Sequence, residues 1–443
     1  MLMEIKGRQL FNLLVPLMIE QLLNSFMGTA DTIMITNCGS ASISAVSLVD
    51  SINVMVVLIF SAMATGGAIL CSQYLGRKDA KNACHAGNQL ILSVTFISVV
   101  GTAILILFRH SILSLIFGSV EAEVMSKSEI YFLITAISYP FIALYDSGAA
   151  IFRADGNSKL PMVVSTVCNI INIAGNAVFI FVLKLDVAGA ALSTLISRVL
   201  CAVVILFFLK HTKQQIAIKK YLVKPDFKAI SQILRIGIPS GIENGMFQFG
   251  KLAIQSTVST LGTVAIAANA LTSVLEGFSS QAPLGIGIGL MTLAGQAYGA
   301  KDYDLVAKYI KKLTIFSFIA VAVSSLVIVG LVKPITILSG MESEVASLTL
   351  KLTIFAHIVK PFAWSLSFIP PYGMRATGDV RFPMIVSTIT MWTCRVALTI
   401  FLIRGLKMGP LGVWIGMGSD WCIRSIIFFI RCKTKKYLHI PEI

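Results

Sequence analysis

The sequence predicts an all-α integral membrane protein: twelve transmembrane helices in two six-helix lobes related by a parallel internal repeat. Three observations lead there. Of the 443 residues only 13% are charged and 56% are hydrophobic, whereas a soluble domain is about 25% charged. The apolar residues fall in long blocks, many of 20 or more, the length a helix needs to cross a bilayer. Short motifs also recur in the second half of the chain at a near-constant offset. Mean hydropathy is +0.85, which excludes an ordinary soluble enzyme. The short alternating segments of a transmembrane β-barrel are absent from the sequence.

The spans are expected near 10–35, 45–74, 87–108, 129–152, 160–183, 188–209, 231–258, 266–296, 308–332, 349–373, 383–403 and 410–430. Twelve spans of roughly 20 residues use about 240 residues. The remainder suffices for short loops and tails. The N-terminal lobe is expected over 1–209, a basic cytoplasmic linker over 210–230 and the C-terminal lobe over 231–443. The eight cysteines are scattered singly without a CxxC, and they read as small core residues. The start, MLMEIKGRQLFNLL, shows no cleavage site before a long first span. It reads as an uncleaved cytoplasmic start.

Loop charges predict orientation. The tails and even-numbered loops carry 23 Lys and Arg, the odd-numbered loops six. Excess positive charge stays on the cytoplasmic side, so both termini are expected in the cytoplasm. The same asymmetry accounts for the net charge of +15 without invoking nucleic acid.

The repeat is readable residue by residue. Pro16 and Glu20 match Pro239 and Glu243, and Gln73 to Asp79 match Gln296 to Asp302, all at an offset of 223. Pro140-Phe141 match Pro361-Phe362, and Arg153 to Gly156 match Arg375 to Gly378. Six spans per half is an even number, so both halves take the same orientation in the membrane. Parallel repeats of this kind hold substrate between the halves near the midplane.

These segments resemble the multidrug and toxic compound extrusion (MATE) family. The resemblance rests on PLMIEQLLNSFMGTADTIMI, QYLGRKD and GQAYGAKD, RADGNSKLP and RATGDVRFP, and NIINIAGNAVFIF with DVAGAAL, over roughly residues 8–430. It implies cation-coupled (H+ or Na+) export of amphipathic, mostly cationic compounds by alternating access, from a monomer spanning the bacterial cytoplasmic membrane. No cofactor or resident metal is expected beyond the coupling ion. A flippase-like exporter of lipid-linked or other specific metabolites shares the two-lobed plan and is the alternative. The acids at the cleft positions speak against it. A membrane-bound prenyl transferase would need paired acidic motifs on cytosolic loops, where only single acids occur. No GxxxxGK[ST] phosphate loop suggests ATP drive.

Polar residues inside spans are expensive and therefore functional candidates. Asp31 has no basic neighbour in sequence, and a carboxylate there can exchange a proton or ligate Na+. Asn172 and Asn176 are four apart and share a helix face. The resemblance pairs this face with Asp31 and with Thr194. It also places a second acid where Asn176 stands, so one carboxylate is missing from the family pattern. Interhelical hydrogen bonding is the plain alternative for these amides. Glu20, Glu243, Gln248, Glu276 and Asp146 are expected at the substrate cleft. His357 and Lys360 form either a proton-sensitive pair or a group solvated from outside. Arg198, Arg395, Asp420 and Arg424 are expected to be structural. Asp420 and Arg424 are spaced to pair on one helix, and Arg395 needs a carboxylate.

Overall fold

A computed structural model describes residues 7–118, 120–221 and 223–438. The described residues form helices joined by short turns. In chain order these are α1 (Gly7–Ile35), α2 (Ser40–Gly76), α3 (Ala80–Leu107), α4 (Arg109–Phe117), α5 (Ala122–Ile137), α6 (Tyr139–Ala154), α7 (Lys159–Asn176) and α8 (Asp186–His211). The second half follows with α9 (Phe227–Val258), α10 (Thr263–Gly299), α11 (Tyr303–Leu338), α12 (Ser343–Phe368), α13 (Pro370–Ala376), α14 (Arg381–Thr390), α15 (Leu398–Ile400) and α16 (Leu411–Lys433).

Among the described residues nine helices are long and apolar enough to cross a bilayer, ten if the bent pair α5 and α6 counts as one span. α9 and α10, 32 and 37 residues long, complete the twelve. Several spans differ from the sequence expectation. The fourth is broken at Ser138 with a bend of 41°. Pro140, at the second position of α6, has no N–H to continue the ladder of α5. The tenth is interrupted at Ile369, before Pro370 and Pro371, but Ser343–Ala376 runs on as one span. The fifth and eleventh contain π-helical turns at Ala177–Val182 and Met391–Ala397. α2, α10 and α11 overrun the expected apolar windows by several residues.

The repeat holds in backbone geometry. Gly39 between α1 and α2 has φ 92°, and Gly262 between α9 and α10 has φ 87°; only glycine takes this conformation without strain. Lys78 and Lys301 both lie near φ 60°. Each precedes an aspartate that caps the next helix: Asp79 accepts from the Asn82 N–H at 3.0 Å and Asp302 from the Leu305 N–H at 3.1 Å. The KD of each repeated loop is thus a left-handed residue followed by an N-cap.

The chain divides into two compact units, and the division lies within helices. One unit comprises Arg8–Pro16 and Leu23–Gly241. The other comprises Leu17–Leu22 and the described residues from Ile242 onward. The first half of α9 therefore groups with the N-terminal helices, whereas the sequence boundary was expected at 230/231. Close packing explains this: a Cβ on Gly66 of α2 would lie 2.4 Å from the Ile233 carbonyl oxygen of α9.

The described residues of the segment expected as a linker over 210–230 pack as a strap on the N-terminal unit. Ile216 and Ile218 are buried in its core. Gln89 clasps the strap end, donating to the Lys224 carbonyl at 2.9 Å and accepting from the Asp226 N–H at 3.0 Å. His85 meets Asp226 at 2.9 Å. The side-chain hydrogen bond from His85 and the backbone N–H of Ala229 hold the Asp226 carboxyl below the usual carboxylate range.

Candidate functional site

The N-terminal unit holds a half-open cavity of about 370 Å³, with Ile35, Val54, Val57 and Leu58 in its wall beside the polar residues. Its lining comes from α1 (Gly28, Asp31), α2 (Asp50, Asn53), α5 (Tyr131, Thr135), α7 (Asn176) and α8 (Thr194, Arg198). Asn172 and Asn176 lie one turn apart on α7, so both amides face Asp31. Asn176 Nδ2 donates to Asp31 Oδ1 at 2.7 Å. In the orientation that satisfies both of its side-chain atoms, Asn172 donates to the same carboxylate oxygen at 2.9 Å and accepts from the Thr194 N–H at 3.2 Å. Asn176 Oδ1 is buried without a hydrogen-bond partner, leaving an acceptor beside the carboxylate. Asn169 does not join this cluster. Its amide donates to Asn24 Oδ1 at 2.8 Å and ties α7 to α1.

Asp50 was not singled out in the sequence. Its Oδ1 accepts from Asn53 Nδ2 at 2.9 Å and from the Tyr131 hydroxyl at 3.2 Å. Asn53 Oδ1 in turn accepts from the Tyr139 hydroxyl at 2.5 Å. Arg198, expected to be structural, lines this cavity and donates to Ser138 Oγ at 2.7 Å. The cavity is thus lined by two carboxylates and one guanidinium. With both acids ionised it carries one net negative charge, and uptake of one cation neutralises it. The amide, hydroxyl and carboxylate oxygens are the hard donors that suit H+ or Na+ rather than a soft metal.

The C-terminal unit holds a different network. Lys360 is fully buried and donates to Glu276 Oε1 at 2.7 Å, to Ser279 Oγ at 2.5 Å and to Ser280 Oγ at 2.7 Å. This corrects the expectation of a lysine solvated from outside: burial supplies a carboxylate and two hydroxyls in place of water. His357 is buried beside it, with Nδ1 2.9 Å from the Thr353 carbonyl and Nε2 3.2 Å from Ser279 Oγ. Arg424 pairs with both Asp420 oxygens, at 2.9 and 3.1 Å, as their spacing predicted.

Arg395 departs from expectation. Among the described residues no carboxylate lies within ion-pair distance of it. Its guanidinium sits 4.9 Å from the centre of the Phe247 ring, and its Nε is buried without an acceptor. Lys251 of α9, which sequence reading passed over, lies 5.2 Å from the same ring.

The expected cleft residues occupy varied settings. Glu243 pairs with Arg375 at 2.6 Å, so it is not an isolated acid. Arg375 also lies 5.5 Å from the Tyr372 ring. Glu276 is held by Lys360. Glu20 is buried in α1. Gln248 and Asp146 are half-buried on α9 and α6.

Comparison with known proteins matches this architecture. A family model described as MatE fits residues 16–178 and again 239–401, reproducing the offset of the repeat. The chain is 27% identical over 441 residues to the uncharacterized transporter YisQ of Bacillus subtilis, covering 98% of this chain and 95% of that one. It is 26% identical over 440 residues to the probable multidrug resistance protein NorM of Thermotoga maritima, covering 97% and 93%. A MATE crystal structure in complex with MaL6 shares the fold, with TM-score 0.86, 18% identity and 98% of each chain covered. The chain is therefore a multi-span membrane transporter, not an enzyme, and it belongs to the MATE family.

Proposed function

We propose that this protein is a cation-coupled exporter of small amphipathic organic compounds, organic cations among them, working by alternating access. The coupling ion is H+ or Na+, the setting is the bacterial plasma membrane with both termini cytoplasmic, and one chain suffices. The export of toxic compounds is supported by relatives named as multidrug resistance proteins.

One observation carries the coupling: Asp31, inside the membrane, is held by two amides beside the unpartnered Asn176 Oδ1 and faces a cavity shared with Asp50 and Arg198. A charge at this depth is costly unless compensated. With the ion absent, the cavity's net negative charge favours a conformation open to water. Protonation of Asp31, or Na+ held by the Asp31, Asn176 and Thr194 oxygens, removes that charge and favours closure around α1 and α7. A ligand shifts such an equilibrium only by its differential affinity for the two states. The ion therefore drives export when its binding and the drug's exclude one another, so that each ion moving inward is exchanged for drug moving outward.

The test is ethidium efflux from cells lacking their own pumps, comparing wild type with Asp31→Asn, with and without Na+ and an uncoupler. The expected result is efflux in wild type that collapses in the variant and follows one of the two ion gradients. Efflux by Asp31→Asn that still depends on the gradient would sink the coupling role. Silence of well-expressed wild type across a panel of cationic dyes would sink the broad export reading.

A further inference from the structure

The internal repeat places Lys251 where Gly28 stands in the N-terminal half, at an offset of 223, and Arg395 where Ile173 stands, next to Asn172, at the offset of 222 that Arg153 and Arg375 set. Gly28 lines the Asp31 cavity and Asn172 holds Asp31 there. The C-terminal half therefore carries two cations where the other half has neutral residues at or beside the Asp31 cavity. The nearby acids are already engaged: Glu276 with Lys360 at 2.7 Å and Asp420 with Arg424 at 2.9 Å. Arg395 is more than nine-tenths buried, its Nε lacks an acceptor, and it lies against Phe247. Lys251 is exposed and lies against the same ring. Two cations and one aromatic face, with no anion of the protein's own between them, match an aromatic group bearing a negative charge. The anion takes the guanidinium and ammonium donors, and the ligand's ring takes the apolar surface.

We propose that the C-terminal unit holds a docking site for the carboxylate or sulfonate of an aromatic amphipath, formed by Arg395, Lys251 and Phe247. The inference rests on the export reading for the ligand's role as substrate, and it adds zwitterionic or anionic aromatic compounds to the cations of that reading. Arg395 supplies the buried, fixed donors. Lys251, reachable from outside the unit, meets the anion first. Phe247 gathers the two cations over its ring and so holds their head groups side by side.

The test uses the full-length protein in detergent and two fluorescent rhodamines that differ only in a free benzoate and its methyl ester. Fluorescence anisotropy reads binding with no ion gradient present. Wild type is expected to bind the acid at least about tenfold more tightly than the ester, as a charge-assisted pair implies. Arg395→Gln removes that preference, Arg395→Lys keeps most of it, and Lys251→Gln weakens it. Ester binding stays within about twofold throughout, which also reports that each variant is folded. If Arg395→Gln fails to fold, Lys251→Gln at its exposed site decides. Equal binding of acid and ester by wild type, or an unchanged preference in Lys251→Gln and Arg395→Gln, overturns the site. Failure of export in cells leaves this binding difference intact. Loss of the preference leaves Asp31-dependent pumping of the ester intact, so the two readings fail separately.

Discussion

Asn53 and Tyr139 in the N-terminal half become Glu276 and Lys360 at the matching positions of the C-terminal half. Both pairs join the second span of a half to its fourth: the hydroxyl donates to the amide at 2.5 Å, and the ammonium pairs with the carboxylate at 2.7 Å. One backbone plan thus carries a neutral bridge on one side and an ion pair on the other. In the N-terminal half the neutral bridge leaves Asp31 and Asp50 facing a cavity with Arg198 as the nearby cation. In the C-terminal half the acids are consumed by Lys360 and Arg424, and the surplus is positive. The difference teaches that duplication conserves helix contacts while the sign of the buried charge diverges. The charge left facing the N-terminal cavity is negative, and the charge gathered around Phe247 is positive.

The sharpest way to break this comparison is to spoil the ion pair. Glu276→Gln leaves Lys360 buried with hydroxyls and carbonyl but no counter-charge. It should lower stability by about 3–5 kcal/mol, read as thermal unfolding in detergent. The neutral bridge is expected to matter less: Asn53→Leu should cost about 1–3 kcal/mol. Replacing the charged pair with its neutral counterpart, Glu276→Asn with Lys360→Tyr, should recover most of the loss. Additive losses in the double variant would show that the two bridges are not interchangeable.

Asp31→Asn is expected to reduce ion-driven efflux from proteoliposomes at least about tenfold while substrate still binds, since the amide cannot exchange a charge. Asp50→Asn tests whether the cavity works as a two-carboxylate unit. Its expected effect is a drop of about threefold to tenfold, with a changed ion dependence, because Arg198 then offsets the remaining acid. Activity equal to wild type in Asp50→Asn would make Asp50 only a structural partner of Asn53 and Tyr131.

The smallest effects belong to the repeated caps. Asp79→Ala and Asp302→Ala each remove an N-cap and should change transport by less than about twofold. The Asn82 backbone N–H holds the Asp79 carboxyl below its ordinary range. A depressed carboxylate stabilises above its unfolded pKa and loses that contribution as pH falls through the folded one. The gap between Asp79→Ala and wild type should therefore close on acidification. A gap that widened would assign Asp79 another role.

Much of the candidate site was legible in the chain. Asp31 interrupts an apolar span, and the spacing of Asn172 and Asn176 puts both on one face toward it. Asp50 was overlooked because it sits close to the expected start of its span, among Ser47, Ser51 and Asn53, where a polar residue attracts no notice. Tyr131 and Lys251 carry no local signal either. An aromatic hydroxyl or a lysine within an apolar stretch reads as core or interface until its neighbour is known. Arg395 was expected to find a carboxylate and found the Phe247 ring, 148 positions away in the chain. No pattern along the sequence links them.

Hydrophobic block length, loop charge and the repeated offset are properties of the chain itself, because bilayer thickness and backbone satisfaction act on every span alike. They determined helix, span count and internal duplication. Which buried charges meet, which of them share a cavity, and where the two compact units divide within α1 and α9 depend on side chains brought together across distant helices. Electrostatic energy varies with separation and burial, and only the packed helices set those.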